Sequence, residues 1–321
     1  MNIKLEEYKL AYEKIKPYIK NTKLENYKNN IFLKKEANQI SGSFKWSGVL
    51  HSIIVIFDNL LIHKKTPFYI VTQSTGNHGI ATLKAINMMI EIYKKKYPKF
   101  KYLFDNVIAG IFTNKLISKN KLDKMNMQLN KFKNKKNFIK KDFKNYEESL
   151  KARIDFLKKN DGVYVEHGGK NILLGYGALA FQINNQIEKN KSISFVTTVG
   201  AGGPVGIALC LSYLRNISFY IAQPETYDSF IRSINSNKVQ YNKNNKIIVS
   251  DGIAVDKPEL FALNIAKRIV SNCLTVKVKD VLEVKKKTNL GNSSCIALSG
   301  VNLIDSVKTD YVIVLDCEGN N

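Results

Sequence analysis

Residues 41–48 read Ser41-Gly42-Ser43-Phe44-Lys45-Trp46-Ser47-Gly48, and the reading of Lys45 decides the fold. The run sets a primary amine, able to form an imine with an aldehyde, at the head of an apolar stretch, 45–62, whose pattern predicts a helix. By itself Lys45 is one more solvated cation, because 50 residues are Lys or Arg and only four of those are Arg (Arg153, Arg215, Arg232 and Arg268). Three downstream segments give it meaning.

The first is Gln73-Ser74-Thr75-Gly76-Asn77-His78-Gly79, between an apolar strand candidate at 68–72 and a helix predicted over about 80–96. Small and amide residues at such a junction expose backbone N–H groups at a helix N-terminus, which suits a carboxylate. The same residues also make a plain turn. The second is Thr197-Thr198-Val199-Gly200-Ala201-Gly202-Gly203-Pro204-Val205-Gly206, a strand feeding a glycine-rich loop before a helix. That arrangement lets the backbone approach a phosphate closely, and the helix dipole favours its charge. A dinucleotide site begins in the same way. Here, however, Val205 takes the third glycine position, the glycine comes one later at Gly206, and no acidic residue stands at a ribose-holding distance. The third is the apolar run Val312-Ile313-Val314-Leu315 leading into Asp316-Cys317-Glu318-Gly319-Asn320-Asn321.

In this order the segments resemble those of the fold-type II pyridoxal 5′-phosphate (PLP) enzymes of the tryptophan synthase β superfamily: serine/threonine dehydratases, serine racemase, cysteine synthase and threonine synthase. Residues 41–48 resemble the Schiff-base segment, 74–78 the Ser-x-Gly-Asn-His motif, and 200–203 the tetraglycine phosphate loop with Ala201 in place of one glycine. The stretch from Cys317 resembles the closing Ser-Gly-Gly-Asn element. Ser250-Asp251-Gly252-Ile253-Ala254-Val255 and Gly175-Tyr176-Gly177-Ala178 resemble two further dehydratase segments.

The resemblance implies an α/β protein of two domains, each a mainly parallel twisted sheet flanked by helices, with the cofactor in the cleft between them. Residues 1–66 and 164–321 would form the large PLP-binding domain, and 67–163 a small mobile domain carrying the carboxylate loop. The resemblance makes Lys45 the Schiff-base and catalytic lysine, next to Phe44. It puts the PLP phosphate on the N–H groups of Gly200, Ala201, Gly202 and Gly203, Cys317 at the pyridine nitrogen, and Asn77 on the 3′ oxygen. Ser74, Thr75, Gly76, Asn77 and His78 fall around the substrate carboxylate. Thr75 stands where serine racemase has its second acid/base, and it also resembles the threonine of threonine synthase.

The implied activity is that of a PLP-dependent ammonia-lyase. It would release a 2-oxo acid and ammonia from a small hydroxy amino acid by β-elimination, which a neutral Cys317 favours. A β- or γ-replacement synthase, an amino-acid racemase and an inactive PLP-binding homologue are the alternatives. A homodimer without a C-terminal regulatory domain is expected. Besides Ala201 and Thr75 (for Ser), four positions depart from the pattern: Ser47 for Arg, Tyr176 for Gln, Ala178 for Thr, and Gln223 for the glutamate that ligates a cation in dehydratases and racemases. No metal is therefore expected.

Composition agrees with this class. A chain of 321 residues, 44% hydrophobic, buries a sizeable core in about two domains. The formal net charge of +23 would suit nucleic acid, but the excess is Lys alongside abundant Asn, not the Arg that makes bidentate contacts. No nucleic-acid partner is expected. Cys210, Cys273, Cys295 and Cys317 are widely spaced and contain no C-x-x-C pair, which argues against zinc and disulfides. Met1–Glu7 lacks a signal-peptide core, and no run looks close to the roughly 18 apolar residues of a membrane span. A cytoplasmic setting away from membranes is expected. Further strands are predicted at 31–33, 107–111, 163–166, 194–199, 218–222 and 311–315, and helices at 5–20 and 145–159. Their alternation points to mainly parallel sheets, with the Lys/Asn-rich stretch near 130–145 as a solvated face or mobile loop.

Overall fold

The computed structural model describes residues 3–115, 117–242, 249–253, 255–304 and 309–319. Ala254, Asn320 and Asn321 of the segments above lie outside them. In chain order the elements begin with α1 (Leu5–Ile15), β1 (Leu24–Lys28), β2 (Ile31–Lys34), α2 (Lys45–His63), β3 (Phe68–Gln73), α3 (Asn77–Lys96) and α4 (Lys101–Asp105). There follow β4 (Val107–Asn114), α5 (Lys119–Leu129), β5 (Phe138–Phe143), α6 (Tyr146–Lys159), β6 (Gly162–Tyr164), α7 (Lys170–Gln186), β7 (Ile193–Thr198) and α8 (Gly203–Leu214). The last are β8 (Ile217–Pro224), α9 (Ser229–Asn235), α10 (Leu260–Ile269), β9 (Val270–Val276), α11 (Val278–Lys287), α12 (Asn292–Val301) and β10 (Tyr311–Leu315). They form two compact units, one of residues 1–48 and 167–321, the other of residues 49–166.

The first unit holds a six-stranded sheet in the order β1-β2-β10-β7-β8-β9. Only the β1–β2 pair is antiparallel; β10 lies parallel between β2 and β7, with Ile313 opposite Phe32 on one side and Phe195 on the other. Residues 312–315 and every residue of β7 are buried, as in parallel strands covered by helices on both faces. Because β2, β10 and β7 run the same way, the segments that follow them leave from one edge of the sheet. Those segments are 35–44, 316–319 and 199–203. In open α/β sheets this carboxyl edge is where ligands bind.

The second unit holds a parallel four-stranded sheet, β5-β4-β3-β6. All eight residues of β4 are buried. The loop 74–76 leaves the carboxyl end of β3 and enters α3.

Three expectations need correction. Strands β1, β5 and β9 were not anticipated, and β5 lies within the stretch expected to be a solvated face or mobile loop, with Lys140, Lys141 and Asp142 exposed along it. Helix α3 begins at Asn77, inside the motif, so Asn77 and His78 belong to its first turn. Finally, α2 does reach the length and apolarity of a membrane span, with 19 residues and a hydropathy of 1.4. Since 67% of that window is buried within the protein, its composition is explained by packing in the core.

Candidate active site

In the first unit Phe44 is the meeting point of three segments. Its N–H donates to the Cys317 carbonyl (3.0 Å), and its Cε2 lies 3.3 Å from where a Cβ on Gly203 would fall. The Lys45 Nζ stands 4.5 Å from the centre of its ring. Lys45 is the first residue of α2. Trp46 beside it is fully buried and donates its indole N–H to the Tyr18 carbonyl (2.8 Å), which fixes the start of the helix. Burial lowers the Lys45 amine from 10.5 to about 8, against the opposing pull of Cys317 and Glu318. A substantial neutral fraction is thus available near pH 8.

Cys317 is held in place from several directions. Its N–H donates to Ser294 Oγ (2.9 Å), whose hydroxyl donates to Asp316 Oδ1 (2.9 Å). The other oxygen of Asp316 pairs with Lys35 Nζ at 2.8 Å. The thiol donates to the Leu315 carbonyl (3.4 Å). Burial, aided by the nearby Glu318 and Asp316 carboxylates, raises it well above the usual thiol range, so Cys317 is neutral. The Lys35–Asp316–Ser294 clamp was not anticipated from sequence, and its one legible signal was an acid closing an apolar strand.

The loop 199–203 has its acceptors occupied and its donors open. The Val199 carbonyl accepts from Gln223 Nε2 (2.6 Å), the Ala201 carbonyl from Glu259 N–H (3.0 Å) and the Gly202 carbonyl from Val205 N–H (3.1 Å). The N–H groups of Gly200, Ala201, Gly202 and Gly203 donate to no protein acceptor among the described residues. Gly202 has φ of +137°, a conformation open to glycine. A Cβ at Gly200 would lie 3.0 Å from Ile253 Cα and 3.1 Å from the Gly252 carbonyl oxygen, so a side chain there would crowd the neighbouring backbone. Four donors without an acceptor at the start of a twelve-residue helix suit an anion, and the phosphate of PLP is such a group. Lys45, Cys317 and this loop are the residues able to hold that cofactor.

Of the departures from the motif, Tyr176 packs against Phe44 and Gly203, Gln223 bonds the glycine loop, and Ser47 lies in the first turn of α2. Ser47 and Tyr176 are fully buried, and neither hydroxyl has a hydrogen-bond partner among the described residues. Ala178 is buried two residues further along α7. Gln223 has both ends of its amide in use, since Oε1 also accepts from Ile231 N–H at 2.9 Å. It pins the glycine loop to β8 and α9. The four cysteines are free thiols.

Ser74, Thr75, Gly76, Asn77 and His78 lie in the second unit, at the carboxyl end of β3. Ser74 Oγ accepts from the N–H groups of Gly76 (3.1 Å) and Gly79 (3.0 Å), so its hydroxyl caps the first turn of α3. His78 is buried, and its Nε2 lies 3.3 Å from the Val165 carbonyl, which anchors α3 beyond β6. Thr75 and Asn77 are half-buried. Lys121, on α5, was not anticipated: its Nζ lies 3.2 Å from the Cβ position of Gly76.

No family profile and no curated protein matches the sequence. Solved structures do. Maize serine racemase superposes with a TM-score of 0.82 at 17% identity, over 100% of this chain and 94% of that one. A pyridoxal 5′-phosphate-dependent aspartate racemase gives 0.78 at 17%, over 100% and 97%. A T.th. threonine deaminase gives 0.78 at 17%, over 99% of each chain. With its two parallel sheets flanked by helices and these neighbours, the chain has the fold of the fold-type II pyridoxal 5′-phosphate-dependent enzymes.

Proposed function

We propose that this protein is a PLP-dependent amino-acid lyase that eliminates the β-hydroxyl of a serine- or threonine-like substrate, giving a 2-oxo acid and ammonia. One observation carries the reading. A half-buried lysine whose amine is lowered to about 8 shares Phe44 as a neighbour with a neutral buried thiol and an open-donor phosphate cradle.

When bound, PLP supplies an electron-withdrawing ring that acidifies the substrate Cα–H. Lys45 would hold the cofactor and, as a free neutral amine, would take the proton from the substrate Cα. Desolvation of Lys45 favours its neutral form, the one that accepts a proton. The N–H groups of Gly200–Gly203 hold the phosphate and orient the ring. Cys317, at the place assigned to the ring nitrogen, presents no charge. A neutral partner there suits an elimination, in which the departing β-group takes the electron pair, over chemistry that needs a long-lived carbanion. The N-terminal turn of α3, with the N–H groups and hydroxyl of 74–78, binds the substrate carboxylate.

Racemisation is the second reading, supported by the Thr75 hydroxyl and by the racemases among the similar structures. A panel of amino acids assayed for 2-oxo acid release, with and without added nucleophiles, and for chiral inversion separates the readings. The lyase reading fails if serine, threonine and their β-substituted relatives all yield no keto acid. The cofactor reading fails if PLP gives the protein no visible absorbance band, or if Lys45→Ala retains one.

A further inference from the structure

We propose that the hydroxyl of Tyr176, together with that of Ser47, binds the phosphate group held at Gly200–Gly203, adding side-chain donors to a backbone cradle. The proposal rests on the cofactor reading above.

Tyr176 sits in the middle of α7, and its ring is wedged between the first turns of two helices. Its Cζ, the atom bearing the hydroxyl, lies 2.5 Å from where a Cβ on Gly48 of α2 would fall and 3.3 Å from the Cβ position of Gly203, the first residue of α8. The Phe44 ring packs against it with centroids 5.2 Å apart. Only glycine at 48 and 203 lets the ring come this close. A phenylalanine ring would fill this space equally well and would bury no hydroxyl.

Yet this hydroxyl is fully buried with no partner among the described residues. Five other buried hydroxyls among those residues lack a partner, those of Tyr8, Ser47, Thr113, Thr198 and Thr226, and two of them bracket this site in sequence. Ser47 Oγ is next to Gly48, and Thr198 Oγ1 closes β7 two residues before Gly200. An unpaired buried hydroxyl destabilises a folded protein unless a ligand completes it. The two first turns that flank the ring are the positive ends of a 19-residue and a 12-residue helix, and both favour an anion. Burial keeps the Tyr176 phenol protonated, so it is a donor. An anion resting on the four N–H groups of the cradle is what the geometry offers it.

Tyr176→Phe removes the hydroxyl and keeps the ring. Ligand-free wild-type and variant proteins are titrated with PLP and with pyridoxal, which lacks the phosphate, and the visible absorbance band is read. Tyr176→Phe is expected to weaken PLP binding roughly tenfold or more and to leave pyridoxal binding within about twofold. Ser47→Ala is expected to move in the same direction. Ligand-free Tyr176→Phe should melt higher than ligand-free wild type, because an unpaired buried hydroxyl is gone. Inorganic phosphate should raise the melting temperature of the wild type more than that of the variant.

Equal PLP affinity in the two proteins overturns the proposal, as does an equal loss for PLP and pyridoxal. If wild type gives no band with PLP but phosphate still stabilises it through Tyr176, the cofactor reading falls and the hydroxyl site stands as an anion site. No band and no phosphate effect overturns both.

Discussion

The Phe44 N–H donates to the Cys317 carbonyl across 3.0 Å, joining the residue before the candidate lysine to the candidate ring partner. The tie is reinforced on both sides: Ser43 and Glu318 form an antiparallel bridge, and the Gly319 N–H donates to the Gly42 carbonyl (3.4 Å). Segments from opposite ends of the sequence therefore move as one piece, and changes at one end are felt at the other.

Cys317→Ser tests whether neutrality at that position matters more than sulfur. The substitution keeps a small uncharged group and the same backbone bonds, at a cost in stability of about 1–2 kcal/mol for burying a hydroxyl. The PLP absorbance band and 2-oxo acid release should stay within about threefold of wild type. Cys317→Asp adds a negative charge beside Asp316 and Glu318, at a position where burial, aided by those carboxylates, already holds the thiol neutral. It should cut lyase turnover by more than about tenfold, measured under substrate saturation.

The Lys45 amine makes the stability of the ligand-free protein depend on pH. Its value is lowered to about 8 when folded, against the ordinary 10.5. Between those values the unfolded chain binds a proton that the folded chain does not, so stability rises with pH across that window. Below pH 8 both states are protonated, and the fold carries the full cost of burying an ammonium. At 1.36 kcal/mol per unit the effect is at most about 3 kcal/mol. In Lys45→Met it is absent, so the variant should exceed wild type in stability at pH 7 and lose most of that advantage by pH 10.5. Lys34, also lowered to about 8 by burial, is common to both proteins and cancels. Denaturant melts at a series of pH values provide the check.

The parts of the fold legible in sequence are those buried on both faces. Strands β2, β3, β4, β7, β8 and β10 stand out as apolar runs within a residue or two of their ends, apart from the longer C-terminal reach of β4 and β8. The missed strands β1, β5 and β9 are all sheet edges, where one side faces water and polar or charged residues guard against further pairing; the remaining edge, β6, was anticipated at 163–166 and is found at Gly162–Tyr164. Lys140 and Lys141 in β5 are exposed for that reason. The candidate site was legible where chemistry demands particular backbone, as at Gly200–Gly203. It was illegible where contacts are purely tertiary. Nothing local in sequence pairs Tyr176 with Gly48 and Gly203, or Ser294 with Cys317. Gln223 looked like a lost ligand and proves to be a hydrogen-bonded brace.

Gly202→Ala should disable the cradle. A Cβ at this position would run into the Ala262 side chain on α10, and the φ of +137° is one that alanine rarely adopts. Strain and clash together are expected to cost about 2–4 kcal/mol. Cofactor affinity should fall by more than about tenfold, because the loop must shift to relieve the clash. Thermal melting and PLP titration read the two effects separately, and a variant that melts like wild type would contradict the geometry.

Gln223→Glu replaces the amide nitrogen that donates to the Val199 carbonyl (2.6 Å) with an acceptor, at the position where dehydratase-like sequences carry a cation ligand. Two oxygens would then face each other in a fully buried setting, with the opposite oxygen still accepting from Ile231 N–H. Ionising that carboxyl is unfavourable, so its pKa in the folded state should rise above the unfolded value. The variant is then least stable at neutral and alkaline pH, by about 1–3 kcal/mol relative to wild type. It should recover as pH falls, because the protonated carboxyl can donate to Val199 in place of the amide. If the surrounding carbonyls complete a cation site, magnesium or calcium at pH 8 should raise the melting temperature of the variant and not that of wild type. If neither acid nor a divalent cation restores stability, the Gln223–Val199 hydrogen bond is not what holds the glycine loop.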